Sequence, residues 1–209
     1  MQEDIADEKK ELRIAAVFSL LLTALPWTVH LADIVFSLQL NRHGLRPMEA
    51  GGLPGILTMP LLHSGWEHLI SNTPALFALL FGLFLLYNQA AWRVLGYLYI
   101  ISGLLTWFIG RSATHIGASG LVYALAAFHF VSGIIKKERR QRAFALLVAF
   151  LYGGFIWAFL PASASTSWEG HLSGLITGIV MAFYFRHEGP QKQEESIEEE
   201  DDDDYVDED

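Results

Sequence analysis

Cysteine is absent from all 209 residues, which removes thiol nucleophiles, disulfides and thiolate-ligated metals from the available chemistry. Charge is scarce too. Only 18% of residues are Asp, Glu, Lys or Arg, many of them at the two chain ends, so the middle is far more apolar than a soluble domain requires. Basic residues form no stripe interleaved with aromatics, which argues against a nucleic-acid partner. No His-Glu-x-x-His run occurs, so the zinc-protease helix is missing, and Asp33 is the only Asp within the apolar stretches, one carboxylate too few for an aspartyl enzyme. No internal repeat suggests the inverted halves of a secondary transporter. No metal and no cofactor are expected.

What is present is apolar length. A hydrocarbon core about 30 Å thick needs roughly 20 helical residues per crossing. Six stretches approach that length: Ile14 to Phe36, Leu69 to Tyr87, Ala91 to Gly110, His115 to Ile135, Ala143 to Leu160 and Trp168 to Phe185. They predict an all-α, polytopic membrane protein, a bundle of six transmembrane helices. The first stretch is too long, and lacks the small-residue cleavage site, for a signal peptide; Pro26 within it is expected to kink a helix that its neighbours can support. The expected organisation is an N-terminal segment 1–13, a membrane domain 14–186 and an appendage 187–209.

Six crossings put both ends of the chain on one side. Lys9, Lys10, Arg13, Arg93, Lys136, Lys137, Arg139, Arg140, Arg142, Arg186 and Lys192 then share that side, against Arg42, Arg46 and Arg111 opposite. By the positive-inside rule the termini are cytoplasmic. The formal charge of −9 does not contradict this, because residues 191–209 hold twelve acids and one lysine, 1 − 12 = −11, and the rest is near +2. That acidic stretch self-repels and has no core-forming residues, so it is expected to be disordered. The loop from Ser37 to His63, broken by Gly44, Pro47, Gly51, Gly52, Pro54 and Gly55, faces outward and is expected to lie partly in the interface.

Ionisable groups inside membrane helices are costly and mark function. The second stretch opens near His68 and Asn72, the fourth carries Gly117-Ala118-Ser119-Gly120, and the sixth carries His171 within Glu169-Gly170-His171-Leu172-Ser173-Gly174. All three stretches run inward, and each cluster falls in the first turns, so at 1.5 Å per residue they share one depth within about 10 Å of the outer boundary. Helical spacing puts His68 and Asn72 on one face and Ser119 and Tyr123 on another. Gly170, Gly174 and Gly178 form a double small-xxx-small pattern suited to close helix contact.

Neutral histidine is the side chain best suited to activate a serine near pH 7. Ser119 as nucleophile and His171 as base fit that pairing. The amide of Asn72, His68 and the Ser119 backbone N–H are candidate donors to an oxyanion, and three helix N-termini add favourable positive ends. No third triad member is evident: Glu169 would project from another face of the helix, and Glu67 neighbours His68. A dyad is expected, with the Tyr123 ring available to pack on His171. Taken alone, the Ser119 cluster reads as helix packing, while His68 with Asn72 and His171 are as open to an interhelical role as to a functional one; their common depth and order point to catalysis.

His68-xxx-Asn72, Gly117-Ala118-Ser119-Gly120 with Tyr123, and His171 before Gly174-xxx-Gly178 resemble the rhomboid family of intramembrane serine proteases over the six-span region. The resemblance implies Ser119 and His171 as the catalytic pair, His68 and Asn72 as oxyanion-hole contributors, Tyr123 stacked on the base, and Gly117 packed closely at the serine. It further implies serine endopeptidase activity on proteins with a single transmembrane segment, cut near the outer surface at helix-destabilising sites beside small residues. The first outer loop shows no clear match to the Trp-Arg pair that many relatives carry. A bacterial plasma membrane is the expected location, with the site opening to the extracytoplasmic side; oligomeric state is not specified.

Other polar residues are expected to do less. His63 and His115 would line a water entrance rather than hold metal, His30 and Asp33 would be interfacial or paired, and His129 and Tyr97 would pack. Two alternatives differ in class: a non-proteolytic rhomboid-like protein that binds membrane clients, which the intact Ser119 and His171 disfavour, and a small transporter, disfavoured because no polar cluster is expected to continue inward.

Overall fold

A computed structural model describes residues 2–152 and 167–191. Among these residues there is no strand, only an isolated antiparallel bridge between Leu45 and His115. The helices are α1 (Gln2–Phe36), the single turn α2 (Gly55–Thr58), α3 (Trp66–Tyr87), α4 (Ala91–Ile109), α5 (Ser119–Lys136), α6 (Arg139–Tyr152) and α7 (Trp168–Tyr184). Apart from α2, they match the six expected stretches. The distal part of the fifth stretch, residues 153–160, and residues 192–209 of the acidic stretch lie outside the described residues.

By length and composition, Ile5–Phe36, Trp66–Ile109 and Ser119–Lys136 could each cross a bilayer. The second of these has 44 residues, roughly 66 Å of helix and twice a hydrocarbon core. It is two crossings, because Asn88 adopts φ 46° at the end of α3 and turns the chain back. α7 has 17 residues.

α5 is the central helix. Two thirds of its span is buried, 67% against 28% for α1, and it packs against α3, α4, α6 and α7. Its Leu125 and Phe128 are fully buried together with Leu79 and Leu83 of α3 and Leu98 of α4. The outside of the bundle is apolar as well: Leu20, Leu21, Val35 and Phe36 of α1, Leu146 and Phe150 of α6, and Val180 and Phe183 of α7 are all exposed. A soluble monomer does not present that much contiguous apolar surface; an integral membrane protein presents it to lipid. α1 passes through Pro26 and extends back to Gln2, well before the apolar stretch begins.

The segment between α1 and α3 is folded down on the bundle rather than loose. Met48 N–H donates to the Trp107 carbonyl at 3.1 Å, the Trp107 indole donates to the Glu49 carbonyl at 3.0 Å, and the Tyr99 hydroxyl donates to the Leu57 carbonyl at 2.6 Å. Leu45 exchanges two backbone bonds with His115, at 3.0 and 2.8 Å. His115 therefore lies in an extended connection, and the fourth helix starts at Ser119, later than expected. α6 begins at Arg139, earlier than expected, because Glu138 accepts bonds from the backbone N–H groups of Arg140 and Gln141 and caps its first turn.

At the opposite end of the bundle stand buried polar groups, where the sequence predicts no polar cluster continuing inward. His129, Ser132 and Gln141 are completely buried, and Lys136 is nearly so. The His129 ring donates from Nε2 to the Leu79 carbonyl at 3.0 Å, and Gln141 donates to the His129 carbonyl at 3.4 Å. Lys136 lies 4.2 Å over the Tyr87 ring and donates to the Glu188 carbonyl, while Arg93 pairs with the Glu188 side chain at 2.9 Å. These groups hold the residues after α7 against the ends of α3, α4 and α5.

Among the described residues Phe128 is the largest of the fully buried side chains, so Phe128→Ala is expected to lower stability by about 3–5 kcal/mol. Denaturant unfolding of the purified protein in detergent measures the change.

Candidate active site

The site is assembled at the N-terminal ends of α3, α5 and α7. Gly117 has φ +113°, a conformation open to glycine and strained for other residues. A Cβ there would also come within 2.6 Å of the His68 ring. Its N–H donates to the Met59 carbonyl at 2.8 Å. The chain thus turns sharply beside His68 and enters α5 with Ser119 as the first helical residue.

α5 and α7 touch backbone to backbone. A Cβ on Gly174 would overlap the Gly120 carbonyl, one on Gly178 would overlap the Ala124 carbonyl, and one on Gly120 would stand 3.1 Å from the Gly170 carbonyl. Small residues permit this approach, the main source of helix association where lipid competes equally for apolar side chains. The contact brings Ser119 Oγ to 2.9 Å from His171 Nε2. Tyr123, one turn after Ser119, stacks on the His171 ring with centroids 4.4 Å apart and planes 17° from parallel. His171 is buried, 6% exposed.

A rhomboid-domain family model matches residues 50–188. The chain belongs to the rhomboid family. The match begins after α1 and takes in every residue of the cluster. Among similar proteins are uncharacterized proteins of Mycobacterium tuberculosis and Mycobacterium bovis, each 36% identical over 170 residues, covering 77% of this chain and 70% of the relative. An uncharacterized protein of Mycobacterium leprae is 33% identical over 179 residues, covering 81% and 71%.

The rhomboid fold places the remaining candidates as follows. His68 faces Gly117 and sits with Nδ1 3.3 Å from Ser64 Oγ. Asn72 is buried one turn later, and its amide donates to the His68 carbonyl at 2.8 Å. An amide nitrogen carries two hydrogens, so one N–H remains beyond that bond. Glu169 is turned away from His171 toward Arg111, with the carboxylate 3.6 Å from the guanidinium. Asp33 is not paired with His30: its carboxylate accepts from Leu40 N–H at 2.9 Å, while His30 stands edge-on to Trp66.

His115 and His63 are both buried, 2% and 1% exposed, instead of lining an open entrance. His115 joins Arg111 O through Nε2 at 3.1 Å and Ser167 Oγ through Nδ1 at 2.5 Å. Sequence spacing gave no sign of either the His115–Ser167 or the Arg111–Glu169 contact, since the partners stand on segments far apart in the chain. His63 packs on His68, ring centroids 4.9 Å apart, and its Nε2 has no hydrogen-bond partner among the described residues. Among the described residues, no three His, Asp or Glu groups converge as a metal site would require.

Burial, followed by the nearby His68 imidazole, pushes the His63 ring down to about 4. The unfolded chain then binds the proton that the folded chain refuses between pH 6.5 and 4, so stability falls as pH falls through that window. The full shift corresponds to about 3 kcal/mol. His63→Phe is expected to flatten this acid limb, measured as the unfolding midpoint between pH 7 and pH 4.

Proposed function

We propose that this rhomboid protein is an intramembrane serine protease that hydrolyses peptide bonds in or near transmembrane segments through a Ser119–His171 dyad. The observation that carries the reading is the 2.9 Å approach of Ser119 Oγ to His171 Nε2 under the Tyr123 ring. Ser119 O–H donates to Nε2, so attack on a substrate carbonyl carbon forms the C–O bond as the proton passes to the imidazole. The imidazolium then gives that proton to the leaving amine when the C–N bond breaks, and water repeats the sequence to release the acyl group. The stacked tyrosine restricts the imidazole to one plane.

The tetrahedral oxyanion would be met by the Ser119 backbone N–H, His68 and the Asn72 amide. The Ser119 N–H belongs to the first turn of α5, where no intrahelical carbonyl claims it. The N-termini of α3, α5 and α7 add their positive ends. Burial of His171 and Asn72 supports a weakly screened site, in which such donors act most strongly. Substrates on this reading are transmembrane proteins presented from the bilayer. The predominance of basic residues on the side away from the dyad supports cytoplasmic termini and a site opening to the extracytoplasmic face of a bacterial plasma membrane.

Ser119→Ala and His171→Ala are each expected to abolish cleavage of a model transmembrane substrate by purified protein in detergent, with thermal unfolding unchanged. Asn72→Ala is expected to reduce kcat about 10²- to 10³-fold. Persistence of cleavage in Ser119→Ala would exclude the serine mechanism, whereas stoichiometric substrate binding without any cleavage by the unaltered protein would favour client binding.

A further inference from the structure

We propose that Ser167, His115, Glu169 and Arg111 form a clasp that sets the position of His171 against Ser119, and that Ser167 and His115 are positioning residues for the reaction. The inference rests on the proteolytic reading above.

Ser167 occupies the N-cap of α7, the position where a serine hydroxyl ordinarily accepts from the helix's own free N–H groups. Here it makes no such cap. Its hydroxyl leaves the helix and meets His115 Nδ1 at 2.5 Å. Gly170 stands beside that path, where a Cβ would lie 2.9 Å from Ser167 Oγ. A local preference is given up for a tertiary contact, the pattern expected where function outweighs local stability.

The histidine end of the contact is held firmly. The Arg111 carbonyl can only accept, so the ring nitrogen 3.1 Å from it, Nε2, carries the hydrogen. In the neutral ring Nδ1 is then the acceptor, and Ser167 O–H donates to it. The His115 backbone is pinned on both sides to Leu45. Two residues later Gly117 is tied to Met59, and two further on is Ser119. The path from nucleophile to His115, across to Ser167 and four residues along to His171 closes a ring through the 2.9 Å Ser119–His171 contact.

Glu169 supplies the second tie. Two residues before His171 it lies about 200° around the helix, on the side away from the base, and its buried carboxylate faces Arg111 of the same connection. The base helix is thus held on both sides: by the α5 seam on the face of His171 and by the connection before α5 on the other. The glycine seam sets how close α5 and α7 approach. It does not fix how far α7 slides along its axis, and the clasp does.

The test compares Ser167→Ala, Ser167→Thr, His115→Gln and the double variant Ser167→Ala/His115→Gln in the full chain in detergent. Turnover is normalised to the Ser119 titrated by a fluorophosphonate. A misplacement near 1 Å costs on the order of 10² in rate, so Ser167→Ala and His115→Gln should lose about 10- to 100-fold in kcat with KM changed less than about twofold. Ser167→Thr should recover most of the loss, and the double variant should be no worse than the poorer single one. Unchanged kcat per titrated serine in Ser167→Ala overturns the clasp, even if less protein folds. The imidazole ¹⁵N signal of His171, identified by its loss in His171→Ala, gives a readout independent of turnover: it should move in Ser167→Ala. If the unaltered protein cleaves nothing, the proteolytic reading fails, and an unmoved signal then overturns the clasp as well.

Discussion

A bilayer gives two apolar helices no hydrophobic reason to touch, because lipid tails solvate leucine as well as leucine does. Contact between α5 and α7 must come from shape, and the shape is backbone against backbone at Gly120, Gly174, Gly178 and Ala124. The meeting of Ser119 and His171 depends on it. A hydrogen bond between Ser119 and His171 tolerates a few tenths of an ångström, whereas a single methyl inserted at Gly174 would have to displace the Gly120 carbonyl. The glycines therefore set the helix spacing within which the two side chains meet.

The seam also explains why polar groups can collect at one end of a membrane protein. Isolated in lipid, a histidine, an asparagine and a serine would each be costly. Brought to the starts of three helices, they meet free backbone N–H groups and the positive helix ends. The segment between α1 and α3 roofs this end through backbone bonds to His115, Gly117 and Trp107. Its irregular backbone is tolerable because those groups are paired within the protein.

The helices, the shared depth of three polar clusters and the facing glycines were legible in the sequence because each follows from local spacing: about 20 apolar residues per crossing, 3.6 residues per turn, four between glycines. Features that depended on tertiary partners were not. His115 looks like the start of a helix by hydropathy, yet it bridges Leu45 in an extended strand-like contact. Ser167 looks like a helix cap and instead bonds across the site. α6 starts early because of Glu138, a charged residue that hydropathy treats as loop. The same limit hid the second polar cluster: His129 and Ser132 lie on one face of α5 at a spacing of three, but Gln141 and Lys136 join them only through the packing of α6 and the turn after α7.

That second cluster bears on whether the membrane domain conducts anything. Polar groups at both ends of a bundle are what a solute path would need, and α5 carries Ser119 and Tyr123 toward one end and His129, Ser132 and Lys136 toward the other. Between them, however, α5 contributes Ala124, Leu125 and Phe128 to one buried apolar cluster with Leu76, Leu79 and Leu83 of α3, with Leu79, Leu83, Leu125 and Phe128 all at 2% exposure or less. An apolar layer of fully buried side chains excludes water as well as ions. In the far cluster His129, Gln141 and Lys136 donate inward, to the carbonyls of Leu79, His129 and Glu188, which ties helix ends together. One end of the bundle brings a serine and a histidine together, and the other ties the ends of α3, α4 and α5 to the turn after α7.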